Sequence, residues 1–356
     1  MKISVPVISN RLGRQVFSAK VTVETSGPRF PAELWFAIDS KEPVFVAGLA
    51  DAFLVGLIAV AMKLGENIHV EGRVSSRLAY GLGAFQTTLN TWWPESFRLV
   101  EISYEQLDER CSEERPKGVA CSFSGGLDSF HTLIELLPSR LSNKAFNITH
   151  AMMINGFDQV VDLEHRGLAK RMLDTYQPVL ADAGVELLMT ETNLKAFRRS
   201  VLSRKEVINS YACSLAASAH SLGGLIGRFA IAGQGSVAWN ELDPIGSHPA
   251  LDHHLGSDQL QIIHAGIGRN RSEKLEMLVE EPMVRKTLRV CFLEPQFDPA
   301  TGSVINCGAC EKCVRTLVGL MILGKEYRFP TFSRRYPTAQ YQRPDILAQV
   351  QDKYLK

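Results

Sequence analysis

The chain is expected to be an α/β protein, a doubly wound parallel sheet preceded by an N-terminal α+β domain. Three observations carry that expectation. From Val119 onward, short apolar runs alternate with helix-period segments, the β-then-α order of a parallel sheet covered on both faces. Residues 1–106 instead alternate like antiparallel strands around one very apolar helix. Near the C-terminus, Cys307, Cys310 and Cys313 stand at metal-ligand spacing and close the fold with a zinc-binding segment.

In the N-terminal unit, Phe17–Thr25 and Ala32–Ile38 read as antiparallel strands. Val44–Met62 is the most apolar stretch, but Gly48, Asp51 and Gly56 interrupt it. A buried helix Ala52–Lys63, entered at Asp51 as N-cap, fits better than a membrane span of about 20 residues. A strand near Asn67–Val70 follows, then a helix from a Ser75 or Ser76 cap to about Thr91, then a strand Phe97–Ser103. The polar run 107–118 is the expected boundary, dividing the chain into domains 1–112 and 113–330 and a tail 331–356.

The second unit should contain strands Val119–Phe123, Ile148–Ile154, Val185–Met189, Phe229–Ala232, Gln261–His264 and Leu288–Phe292. Helices are expected at Ser129–Leu137, Val160–Leu180, Lys205–Leu222 and Ser272–Val279. Ligands of doubly wound sheets bind beyond the carboxyl ends of the strands. The loops after Phe123, Ile154, Ala232 and His264 should therefore face one site.

The chain has 356 residues, 45% hydrophobic and 22% charged, with a formal net charge of +1, as for a soluble globular protein. No bulk electrostatic footprint for nucleic acid is present, so a nucleic-acid partner is not expected. Met1–Val7 lacks a long apolar stretch and reads as a mature start. With seven cysteines, an odd number, this points to a reducing cytoplasm.

The loop after Phe123 is Ser124-Gly125-Gly126-Leu127-Asp128-Ser129. Its glycines let the backbone approach an anion, its amides can form a nest, and the helix that follows adds its positive end. Ser124 and Ser129 supply hydroxyls. Asp128 repels phosphate and is better suited to Mg²⁺ or to orienting the loop. Gly-Lys-Ser/Thr is absent, so this is not a Walker A loop.

Among the cysteines, Cys291 can join Cys307, Cys310 and Cys313 as a fourth thiolate, with His253, His254 or His264 as substitutes. An iron–sulfur cluster competes with zinc. Gly233 and Gln234, in Gly233-Gln234-Gly235-Ser236, could admit a ligand close to backbone. Ser247, His248 and Asp252 lie in a long loop fit for substrate, metal or plain solvation. Arg269, Arg271 and Lys274 could meet phosphate or carboxylate.

The Ser-Gly-Gly-x-Asp-Ser loop resembles that of the PP-loop ATP pyrophosphatase superfamily. Together with the cysteine pattern, over roughly residues 117–325, the chain is similar to the 7-cyano-7-deazaguanine synthase family. The resemblance implies an ATP-dependent carbon–nitrogen ligase that releases AMP and pyrophosphate. It implies that Ser124, Gly125, Gly126, Leu127, Asp128 and Ser129 hold pyrophosphate and that Asp128 and Lys274 are catalytic. Adenine would lie near Gly156 and Phe157, and zinc on Cys291, Cys307, Cys310 and Cys313. The implied reaction adenylates 7-carboxy-7-deazaguanine, which ammonia turns into an amide and a second activation into the nitrile of queuosine-type biosynthesis. Residues 1–106, the wide Cys291–Cys307 spacing and Gly246–Asp252 depart from the compact synthase. They look more like divergent relatives beside bacterial anti-phage defence genes, implicated in joining a deazaguanine to an amine of a protein encoded nearby. PP-loop tRNA thiolation, with Cys213 or Cys121, and a non-catalytic nucleotide-binding subunit are the alternatives. A homodimer is compatible with the chain.

Overall fold

A computed structural model describes residues 1–332 except 41, 111–112, 114, 158–166, 238–242 and 294. Asp158, the start of the expected Val160–Leu180 helix and the expected tail from residue 333 lie outside the described residues.

The N-terminal unit comprises β1 (Lys2–Ile3), β2 (Val7–Arg11), β3 (Arg14–Thr22), β4 (Glu33–Ile38), α1 (Asp51–Leu64), β5 (Ile68–Ser75), α2 (Ser76–Trp92) and β6 (Ile102–Asp108). α1 is buried from Asp51 through Met62 and stops at Gly65, whose left-handed backbone closes the last turn on the Ala61 carbonyl. Asp51 is not its N-cap. Ala50 holds that position, and Asp51 is buried inside the first turn. A buried carboxylate needs donors; Asp51 takes them from Ser75, whose backbone N–H lies 2.9 Å away and whose hydroxyl also donates. Ser75 does stand at the N-cap of α2, yet its hydroxyl serves Asp51 and not its own helix. The last strand of this unit runs later than Phe97–Ser103, because Phe97 is drawn into the core and Arg98 N–H bonds the Met62 carbonyl at 2.9 Å.

The second unit follows as β7 (Gly118–Ser122), α3 (Leu127–Glu135), β8 (His150–Asn155), α4 (Gly167–Ala181), β9 (Glu186–Thr192), α5 (Leu194–Arg199), α6 (Arg204–Ile208), α7 (Tyr211–Ser221), β10 (Ile226–Ala232), β11 (Gln261–Ala265) and α8 (Arg271–Leu278). The expected single helix Lys205–Leu222 is broken between α6 and α7. Buried Arg198 stabilises the break, donating to the Val207 carbonyl at 3.0 Å and the Ser210 carbonyl at 3.1 Å. The chain continues through α9 (Pro282–Thr287), the small hairpin of β12 (Gln296–Phe297) and β13 (Val304–Ile305), and α10 (Glu311–Ile322). Leu288–Phe292 is not a strand; its N–H groups are used by a side chain and by the glycine loop, as described below.

The strands form one mostly parallel sheet in the order β11-β10-β7-β8-β9-β4-β3-β1-β5-β6, with β2 on β3. β7 to β11 are all parallel, and the order reverses between β7 and β10. β4 pairs antiparallel with β9, so the sheet runs straight across the polar segment that divides the sequence. Two cores sandwich it, following the alternation of strand residues. Ala120, Met152, Leu188 and Phe229 face α1 and α7, while Cys121, Met153, Met189 and Ala230 face α3, α4, α8, α9 and α10. Among the described residues no helix is long and apolar enough to cross a membrane.

Candidate functional site

Open α/β sheets bind ligands in a crevice outside the carboxyl ends of the strands where the order reverses, here between β7 and β10. The loop Ser124–Ser129 enters it from β7. Gly125 has φ +73°, and a Cβ there would lie 1.9 Å from the Tyr176 hydroxyl. Only glycine fits on both counts. Tyr176, fully buried on α4, donates to the Thr287 carbonyl at 3.1 Å, and Arg289 N–H donates to the Gly125 carbonyl at 2.8 Å. The loop is thus clamped between α4 and residues 287–289. Ser129 Oγ donates to the Gly126 carbonyl at 2.9 Å, and Ser124 Oγ accepts from Gly126 N–H at 3.3 Å. α3 starts at Leu127, and among the described residues no side chain caps its first turn, leaving amides for an anion.

Lys274 ties the crevice together. Its side chain is fully buried, and Nζ lies 2.7 Å from the Gly233 carbonyl after β10 and 3.2 Å from Asp128 Oδ1. Arg271 approaches Asp128 Oδ2 at 3.4 Å and Thr316 Oγ1 at 3.2 Å. Both residues sit in the first turn of α8, whose capping box of Asn270 and Glu273 fixes its start. Arg269 is not at the crevice: it is exposed and pairs with Glu135 at 2.5 Å. His131, on α3, is buried, and among the described residues neither ring nitrogen has a hydrogen-bond partner; Glu135 stands 3.4 Å from Nε2, outside hydrogen-bond geometry. Burial pushes its pKa down to about 4, with Lys274 and Arg269 adding to the effect.

Ser247 and Asp252 also meet at the crevice, but not in a solvated loop. Asp252 begins a turn of 3₁₀-helix, Asp252–Leu255, and is fully buried. Its carboxylate accepts from Ser247 Oγ at 2.6 Å and His248 N–H at 3.0 Å, and pairs with His264 Nδ1 at 2.7 Å. His264 is therefore not a ligand of the cysteine centre. The Tyr211 hydroxyl stays protonated, because burial and then Asp252 push its pKa up. The His248 ring turns away and packs edge-on to Trp92 at 5.0 Å. α2 supports this segment closely: a Cβ on Gly81 would meet the His254 carbonyl oxygen at 2.6 Å. The N-terminal unit thus packs directly against the segment that holds Asp252. Gly233 is buried, whereas Gln234 beside it is exposed. Gly156, at the end of β8, is buried with φ +104°, and Phe157 is half-buried.

The sulfurs of Cys291, Cys307, Cys310 and Cys313 lie within 4.8 Å of one another, and the Cys307–Cys313 and Cys291–Cys310 pairs are each 3.8 Å apart. A tetrahedron with Zn–S bonds of about 2.3 Å spaces its sulfurs about 3.8 Å. The four thiols therefore fit one tetrahedral metal ion such as zinc, and a multi-iron cluster would hold them farther apart. Gly308 at φ +71° turns the knuckle, and the N–H groups of Ala309 and Cys310 point at Cys307 Sγ, at 3.4 and 3.3 Å. Hydrogen bonding from Cys310, then Cys313, pulls the Cys291 thiol pKa down, while Cys291 raises those of both partners. Buried Asn306 accepts from Val290 and Cys291 N–H at 2.9 and 3.1 Å and donates to the Leu288 carbonyl at 2.9 Å. Those bonds take the place of a strand at Leu288–Phe292.

Models of protein families, curated proteins and solved structures offer no match to this chain. The site rests on its own geometry. Sequence reasoning missed Tyr176, Asn306, His131 and the Asp252–His264 pairing; each gains its role from contacts distant in sequence, and none lies in a motif. Cys213 and Cys121 are fully buried, and burial pushes both thiols up to about 12, which does not favour either as a thiolation nucleophile.

Proposed function

We propose that the chain is an ATP-dependent carbon–nitrogen ligase of PP-loop type, which adenylates a carboxylate and releases pyrophosphate. The observation that carries this reading is buried Lys274, bridging Asp128 of the glycine loop and the Gly233 carbonyl across the sheet's reversal point. A buried ammonium, a nearby guanidinium and an uncapped helix start converge where the phosphates of a nucleotide would lie. Lys274 and Arg271 offset charge developing on the departing pyrophosphate. Asp128 is the loop's own carboxylate for the Mg²⁺ that ATP carries. Zinc on the four cysteines is structural in this reading, since all four tetrahedral positions are taken by protein.

The acyl substrate is a 7-carboxy-7-deazaguanine-like molecule, held beside Ser247, Asp252 and Tyr211, and the product is an amide or nitrile. Residues 1–106, which depart from the compact synthase pattern, favour an amine on a protein as acceptor, in the setting of anti-phage defence. The test is isotope transfer. With the carboxylate labelled in ¹⁸O, acyl adenylation moves one label into AMP. AMP without label overturns the reading.

A further inference from the structure

The ring of His264 has a place, an orientation and a free nitrogen. It is the penultimate residue of β11, and its Nε2 lies 2.5 Å from where a Cβ on Gly233 would stand, beside the loop whose carbonyl holds Lys274. Nδ1 faces Asp252 Oδ2 at 2.7 Å. Carboxylates only accept, so this contact places the proton on Nδ1 and the lone pair on Nε2. Nε2 has no hydrogen-bond partner among the described residues. Asp252 is fully buried, is satisfied further by Ser247 and His248, and pairs with no lysine or arginine among the described residues. The His264 ring is the group set to balance its charge.

Resting on the ligase reading, we infer that His264, oriented by Asp252, is the general base that accepts the proton of the attacking amine. The amine nitrogen forms its bond to the acyl carbon and gives up a proton to His264 Nε2. The acyl C–O bond to AMP breaks, and AMP leaves with the electron pair. The imidazolium so formed faces Asp252 and returns its proton to solvent. Loop Ser124–Ser129 and Lys274 perform the first half-reaction, and the Asp252–His264 pair the second.

The two halves are measured separately on the full chain. Pyrophosphate–ATP exchange with 7-carboxy-7-deazaguanine reads the first, and amide formation from ammonium reads the second. H264Q should keep exchange within about twofold and lose amide formation on the order of 10²–10⁴-fold, the range of a general base. Hydroxylamine, already neutral and strongly nucleophilic, should react nearly as well with H264Q as with the native chain. In H264A, added imidazole should restore part of the ammonium reaction, which a merely misfolded protein would not show. Amide formation by H264Q at the native rate overturns the inference, as does equal loss of exchange and amide formation without rescue of H264A. Absence of exchange in the native chain removes the ligase reading itself, a distinct result.

Discussion

The backbone N–H of Arg289 donates to the carbonyl oxygen of Gly125 at 2.8 Å. Two residues on, Cys291 contributes to the four-sulfur centre, and Asn306, next to Cys307, holds Val290 and Cys291 by their N–H groups. Residues 287–291 therefore connect the four-cysteine centre to the glycine loop through a short run of hydrogen bonds. The cysteines do more than close a distant knuckle, because they fix the segment against which the loop is moulded.

Metal loss should consequently weaken nucleotide binding. Native mass spectrometry should find one metal ion per chain, and C310S should lose it. Calorimetric titration of the metal-free chain with ATP should show affinity reduced about tenfold or more, with a lower melting temperature. Unchanged ATP affinity without metal would separate the two sites.

Gly125→Ala should be damaging out of proportion to one methyl group. It places a side chain at positive φ, costing about 1–2 kcal/mol, and drives it into the Tyr176 hydroxyl. The melting temperature should fall by several degrees and ATP binding should be lost. Gly83→Ala is the control. It lies within α2 with nothing within 4 Å of an added Cβ. It should raise stability by up to about 1 kcal/mol in denaturant titration.

Lys274→Met retains most of the buried volume and removes the charge. It leaves Asp128 with Arg271 alone and the Gly233 carbonyl without its donor. Turnover should fall on the order of 10²–10³-fold, the usual consequence of removing one electrostatic group from a transition-state site. Steady-state AMP release with purified protein checks this.

His131 gives the fold a pH dependence of known sign. Its folded-state pKa is lowered from 6.5 to about 4, chiefly by burial. The unfolded chain therefore takes up a proton that the folded chain refuses, and this contribution to stability is lost as pH falls between those values. Urea titrations of the native chain and His131→Leu should show the difference in their pH profiles across that window, and profiles that run parallel would contradict it.

Much of the fold was legible in local pattern. The strand–loop–helix around Ser124–Ser129 and the buried helix at Ala52–Lys63 need only periodicity and glycine placement, and both formed within a residue or two of the expected bounds. The four cysteines were legible from spacing. The failures share one cause. Asp51, Ser75 and Asn306 each bond to groups far along the chain, and no window of sequence displays those partners. Leu288–Phe292 has the composition of a strand and is denied a ladder by Asn306. The polar run at 107–118 marks a change of connectivity, while the pairing of β4 with β9 that carries the sheet across it depends on tertiary packing.

In the ligase reading, Lys274, Arg271 and the clamped glycine loop serve a cut of ATP between its α- and β-phosphates. Phosphorus NMR of the native chain with ATP, Mg²⁺, 7-carboxy-7-deazaguanine and ammonium measures this directly. AMP and pyrophosphate should form in equal amounts, both on the order of 10²–10³-fold slower in Lys274→Met; ADP and inorganic phosphate as the products would contradict the ligase reading.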